Sequence, residues 1–125
     1  MKQKFQLTIA QLNATVGNIS GNCDQALQAW STAKDACSDM VMFPEMFVTG
    51  YQVQDLVMKP AFVRDAMAQV EALAVACSDG PTMGIGAPFL DETGLYNAYY
   101  ILASGGIQVI VKKHFLPNEN VFDEV

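Results

Sequence analysis

Met40-Val41-Met42-Phe43 is an unbroken apolar run cut off by Pro44. A segment that offers apolar side chains to both sides suits a central, buried strand, and proline ends it where the missing N–H would be needed by the ladder. The neighbouring segments take their places around it. Residues 5–12 alternate, with Phe5, Leu7 and Ile9 on one face, which predicts a strand. A loop rich in turn formers runs from Asn13 to Gly21. Asn22 is then placed to cap a helix over 23–37, where Leu27, Trp30 and Ala33 recur at helical spacing. After a second loop, 45–59, Pro60 suits the first position of another helix. Its apolar stripe is Phe62, Val63, Ala66, Val70, Leu73 and Cys77, and Gly80-Pro81 closes it. Strands are predicted over 82–86, 96–103 and 107–111, the last two joined by a hairpin at Ser104-Gly105-Gly106. From Lys112 onward the chain reads as loop. The order β-α-β-α-β-β-β implies an α/β chain, parallel at first, with an antiparallel hairpin at its edge.

Composition narrows the classes of function. The 125 residues carry a net charge of −6 with seven scattered basic residues, which offers no footprint for nucleic acid. Hydrophobic residues make up 51% and charged residues 16%, a balance that suits buried strands and argues against disorder. It also suits a piece whose apolar surface is meant to be covered. Three cysteines without a C-x-x-C pair, and a single histidine, support neither a disulfide framework nor a zinc site. The N-terminus lacks the apolar core of a signal peptide, and no stretch is long enough to cross a membrane. A reducing cytoplasm is the expected setting.

Few residues are candidates for chemistry. Glu45 follows the apolar run at the carboxyl end of its strand, where ligand sites of open α/β sheets lie. It reads as a general base or as a solvated loop glutamate. Lys113 follows the last strand; it reads as a fixed positive charge for an oxyanion or as part of a solvated edge that blocks aggregation. Gly84-Ile85-Gly86 fails as a dinucleotide fingerprint, because Phe89 stands at the third glycine position and Pro88 opposes a helix start. His114 has no partners for a metal. Cys37 and Cys77 look like small core residues, and Cys23, near a helix start, has no evident base.

Taken together, these segments resemble the carbon–nitrogen hydrolases of the nitrilase superfamily. Met40 to Glu45 with Thr49-Gly50-Tyr51 is similar to that family's first block, and Val111 to Pro117 to its lysine-bearing block. Ala10 to Asn13, Val16-Gly17-Asn18 and Gly21-Asn22 resemble its opening strand and loop. Asp55-Leu56, Lys59 to Phe62, Leu95 to Ala98, Gly105-Gly106, Leu116-Pro117-Asn118 and Val121 to Glu124 are similar to the glutaminase portion of glutamine-dependent NAD synthetases. No single block is specific; their order is.

The resemblance implies half of a four-layer αββα sandwich and a Glu-Lys-Cys triad. In it Glu45 would be the base, Lys113 would stabilise the tetrahedral intermediate, and Glu124 would support the triad. Tyr51 and Glu119 would lie at the substrate, although the family often has Tyr-Gly where this chain has Glu119-Asn120. The family cysteine lies beyond the lysine, and Val125 precedes it, so residues 1–125 are expected to form a partial domain that stops short of the nucleophile. Glutamine is the implied substrate. No cofactor is expected in this domain; ATP and Mg²⁺ would belong to a synthetase domain elsewhere in a parent enzyme, a homo-oligomer. A stand-alone aliphatic amidase or carbamoyl hydrolase is the rival enzyme, and a non-catalytic assembly module the rival of another class. Two structural expectations follow. Glu45 and Lys113 should converge at the carboxyl ends of neighbouring central strands, and the sheet's inner face, around Phe43 and Ile85, should be left uncovered and self-associate.

Overall fold

The computed structural model describes residues 4–50 and 59–114. Within them run β1 (Leu7–Ile9), α1 (Ile19–Asp35), β2 (Met40–Met42), α2 (Pro60–Ala76), β3 (Thr82–Asp91), β4 (Gly94–Ala103) and β5 (Gly106–His114). The strands form one sheet in the order β1-β2-β3-β4-β5. The first three pair in parallel, and β3-β4 and β4-β5 pair antiparallel. Both helices lie on the same side of the sheet, as successive crossovers of one hand between adjacent parallel strands require. A single core results, with Ala26, Trp30 and Ala33 of α1 and Ala66, Val70 and Leu73 of α2 packed on Val41, Met83, Ile85, Ala98, Tyr100 and Leu102. This is the expected α/β order, a five-stranded sheet with both helices on one face.

The element ends differ from expectation in instructive ways. Helix α1 starts at Ile19, and Asn18 is its cap, accepting from the Gly21 N–H at 3.1 Å. Asn22 lies inside the helix and is 1% exposed. Its side chain accepts from the Thr15 N–H at 2.8 Å and donates to the carbonyls of Thr15 at 2.9 Å and Val48 at 3.0 Å. A buried amide is stable only with its donors and acceptor satisfied, and here it clamps the loop before α1 to the turn after β2. Helix α2 begins with Pro60 as expected. Strand β3 runs on past Gly86 to Asp91 and turns through Glu92-Thr93 into β4. The Asp91 carboxylate closes that turn, accepting from the Thr93 N–H at 2.8 Å and from its hydroxyl at 2.6 Å. The second hairpin is the expected one, with Ser104 (φ 55°) and Gly105 (φ 84°) both in the left-handed region that a two-residue turn between twisted strands requires. Strand β5 then extends to His114, so Lys112 and Lys113 are strand residues, not loop.

The uncovered face is not made of the residues expected. Phe43 and Ile85 are 3% and 0% exposed, on the helix side. The strand period is two, so the opposite face holds the intervening residues. The register lines up Ile9, Met42, Gly84, Ile101 and Val109 across all five strands. On this face Leu7, Ile9, Val109 and Val111 are 46–59% exposed.

Candidate active site

At one end of the open face, Glu45, Asn97 and Lys113 come together. Glu45 begins the turn after β2, spanning 45–49, whose other residues are buried. Met46 takes a left-handed backbone (φ 57°), and its side chain packs on Val63. The turn thus sends the Met46 side chain inward and leaves the Glu45 carboxylate outside. Asn97 of β4 donates from Nδ2 to Glu45 Oε2 at 2.6 Å, and Lys113 Nζ lies 4.0 Å from the same oxygen. Asn97 and Lys113 are register partners across β4 and β5.

Glu45 and Lys113 therefore converge, but not from neighbouring strands. Strands β3 and β4 lie between β2 and β5, a gap of about 14 Å at the usual strand spacing. Gly86 bridges it. A Cβ there would sit 2.3 Å from Met46 N and 2.7 Å from Glu45 Cα, so only glycine lets the turn lie across β3. The Val48 N–H donates to the Gly86 carbonyl at 3.1 Å and pins the crossing. Tyr99 secures its approach: the ring lies over Gly84, and its hydroxyl donates to the Phe43 carbonyl at 2.8 Å. Burial pushes the Tyr99 phenol up to about 12, which keeps it a donor. The Gly84-Ile85-Gly86 triplet thus serves close backbone and ring approach, not phosphate binding.

The adjacent lysines part company because strand neighbours point to opposite faces. Lys112 turns to the helix side, 3.3 Å from Asp91 Oδ2 and over the rings of Phe89 and Tyr96. The Thr93 bonds, and then Lys112, hold the Asp91 carboxyl below the usual range. Lys113 faces the site and is 76% exposed. His114 stacks near Tyr96 with ring centroids 5.2 Å apart. Among the described residues no three His, Cys, Asp or Glu side chains are grouped to hold a metal ion.

None of the cysteines joins this cluster. Cys23 and Cys77 lie in the helix-side core, where burial is the main cause raising each thiol to about 11. Nearby carboxylates add to it, Asp24 and Asp65 for Cys23 and Asp79 for Cys77. Cys37 is exposed, not a core residue, and precedes β2 at the opposite end of that strand from Glu45. Tyr51, Glu119 and Glu124 lie outside the described residues. Asn97 was visible in the sequence only as part of a block. Its signal is the i+2 spacing to Tyr99, which places both side chains on one face beside Gly86.

The sequence and the fold both have known relatives. The carbon–nitrogen hydrolase family model matches residues 6–114. The glutamine-dependent NAD(+) synthetase of Rhodobacter capsulatus is 52% identical over 125 residues, covering 100% of this chain and 23% of that protein. Its counterpart from Thermotoga maritima is 36% identical, covering 98% of this chain and 21% of the relative. The chain thus spans about a fifth to a quarter of these relatives. Among solved structures, the glutamine-dependent NAD+ synthetase from Acinetobacter baumannii, in complex with ADP, superposes with a TM-score of 0.83 at 31% identity, covering 96% of this chain and 23% of that one. An amidase from Nesterenkonia sp. superposes at 0.76 with 15% identity, covering 93% of this chain and 46% of that one, which shows the shared fold. The strand order, the open face and a family match over most of the length agree, and the chain belongs to the carbon–nitrogen hydrolase family.

Proposed function

We propose that this chain forms the base-and-lysine half of the glutaminase site in a glutamine-dependent NAD synthetase of the cytoplasm. The observation that carries the reading is the convergence of Glu45 and Lys113 on the open face. It occurs in a chain 52% identical along its whole length to such a synthetase. A general base and a fixed cation 4.0 Å apart are the partners that amide hydrolysis by a thiolate requires. The cysteine would come from residues beyond this chain and approach from the open face. Glu45 takes the thiol proton as sulfur attacks the glutamine carboxamide carbon, and Lys113 faces the oxygen as negative charge builds on it. The proton passes to the leaving nitrogen, ammonia departs, and water cleaves the thioester to glutamate. Glu124, Tyr51 and Glu119 are assigned to the same site by resemblance, as support for the triad and as substrate contacts.

ATP and Mg²⁺ belong to the synthetase domain of the parent enzyme in this reading. No step proposed here runs through either group.

The modular arrangement supplies the test. In the full-length enzyme, Glu45→Gln should abolish glutamine-supported NAD formation and leave ammonia-supported formation largely intact. Equal loss with both nitrogen donors would point to a folding role. Turnover of aliphatic amides without synthetase activity would favour the stand-alone amidase, and unaffected turnover a non-catalytic module. The open face is assigned to the enzyme's second sheet. The 125-residue chain by itself should therefore self-associate at micromolar concentration, which light scattering reads directly.

A further inference from the structure

The contact between Glu45 and Lys113 is too weak to aim the base. Their side chains are 44% and 76% exposed at a separation of 4.0 Å, and exposed pairs of this kind hold one another only weakly. The short bond is the one from Asn97. A carboxylate only accepts, so the amide nitrogen must be the group that faces it. At 2.6 Å to Oε2 it is a charge-assisted bond to an ionised acceptor, a class stronger than neutral pairs.

Asn97 is also well mounted. It sits in β4, paired on one side with Pro88 of β3 and on the other with Lys113 of β5. Two residues on, Tyr99 holds the Phe43 carbonyl at 2.8 Å. One rigid strand thus grips the same passing segment twice, at the Phe43 backbone and at the Glu45 side chain, with matching i, i+2 spacing on both. The amide brings no charge, so it can orient the carboxylate without neutralising it.

We infer that Asn97 is a positioning residue for the base: its N–H bond fixes Glu45 Oε2 and leaves the other carboxylate oxygen free to take the proton. The inference rests on the glutaminase reading above, and its function is aim, not proton transfer. A positioned base works only within hydrogen-bond reach of its proton, so loss of aim lowers turnover more than substrate binding.

The test uses the full-length enzyme with glutamine and, separately, ammonia as nitrogen source. Asn97→Leu keeps approximate size and removes the donor. Asn97→Asp keeps the shape, removes the donor and adds a like charge. Each should lower kcat for glutamine about ten- to a hundredfold, the range for losing a bond to a charged group, with KM nearly unchanged. Ammonia-supported synthesis should stay near wild type. Asn97→Gln, which retains a donor, should recover part of the loss. Wild-type kcat in Asn97→Leu, beside an inactive Glu45→Gln, would overturn this inference and leave the glutaminase reading standing. Full glutamine use by Glu45→Gln would overturn both. Loss of both nitrogen sources in all three Asn97 variants, with a lowered thermal midpoint, would assign Asn97 to folding and overturn the inference.

Discussion

The two faces of the sheet are equally apolar along much of their length and do opposite work. On the helix side, Val41, Met83, Ile85 and Leu102 are 0% exposed and lie against α1 and α2. On the other side, Ile9, Val109 and Val111 lie 48–59% exposed in register with Met42, Ile101 and Tyr99. Burial of that kind is what stabilises a small fold, at roughly 25 cal/mol per Å² of apolar surface. The covered face therefore carries the stability of this chain, and the open one carries Glu45, Asn97 and Lys113. A site placed at the end of an uncovered apolar face can be closed from water by whatever covers it, and closure strengthens its electrostatics.

The sharpest way to break this comparison is to truncate one residue on each face. Leu102→Ala should cost about 2–5 kcal/mol, as large-to-small changes in closed cores do. In the 125-residue chain diluted below the concentration at which it associates, Val111→Ala on the open face should stay within about 0.5 kcal/mol. Chemical denaturation of the two variants reads both values, and comparable losses would mean that the faces are not distinct.

Gly86→Ala comes next, because it touches both faces' interests. The new Cβ would meet Met46 N at 2.3 Å, so the turn must lift from β3. Overpacking of this sort costs about 1–3 kcal/mol. It should also separate Glu45 from Asn97 and remove glutamine-supported turnover in the full-length enzyme. A variant with full turnover would show that Glu45 reaches its partners without the crossing.

Near neutral pH the smallest effect is that of the buried thiols, which becomes a slope only in alkali. Cys23 and Cys77 rise from 9.0 to about 11 in the folded chain. The unfolded chain releases these protons first, so it binds fewer than the folded chain above pH 9, and stability must fall as pH rises. The contribution is complete below about pH 9 and is lost on approach to pH 11. Thermal midpoints of the wild type and of a Cys23→Ala, Cys77→Ala chain across that interval should differ in slope. The same thiols should resist alkylation until the chain unfolds.

Much of the architecture was legible because it depends on local rules. The α2 stripe from Val63 to Cys77, proline at the first turn of α2 and the Ser104-Gly105 turn follow from side-chain periodicity and backbone preference. They need no knowledge of neighbours. Errors arose where a residue had two local uses. Asn18 and Asn22 could each cap α1, and the choice went to Asn18 because three backbone groups of Thr15 and Val48 claim Asn22. Strand β5 outran its apolar stretch because β4 pairs with it as far as His114, which brings Lys112 to Asp91 on one face and Lys113 to Glu45 on the other.

By itself the sequence determined the order of elements, the family they resemble and the two charged residues worth watching, since each rests on contiguous residues. Only the tertiary structure decided which apolar face the helices cover. An alternating pattern groups Leu7 with Ile9 and Val41 with Phe43, and is silent on which group faces inward. It also decided that Glu45 meets Lys113 across two intervening strands, and that Asn97 stands between them. The Glu45–Asn97 bond joins residues 52 positions apart, beside a glycine that leaves room for the crossing. Such proximity is a property of how the sheet is crossed, and no local pattern of side chains encodes it.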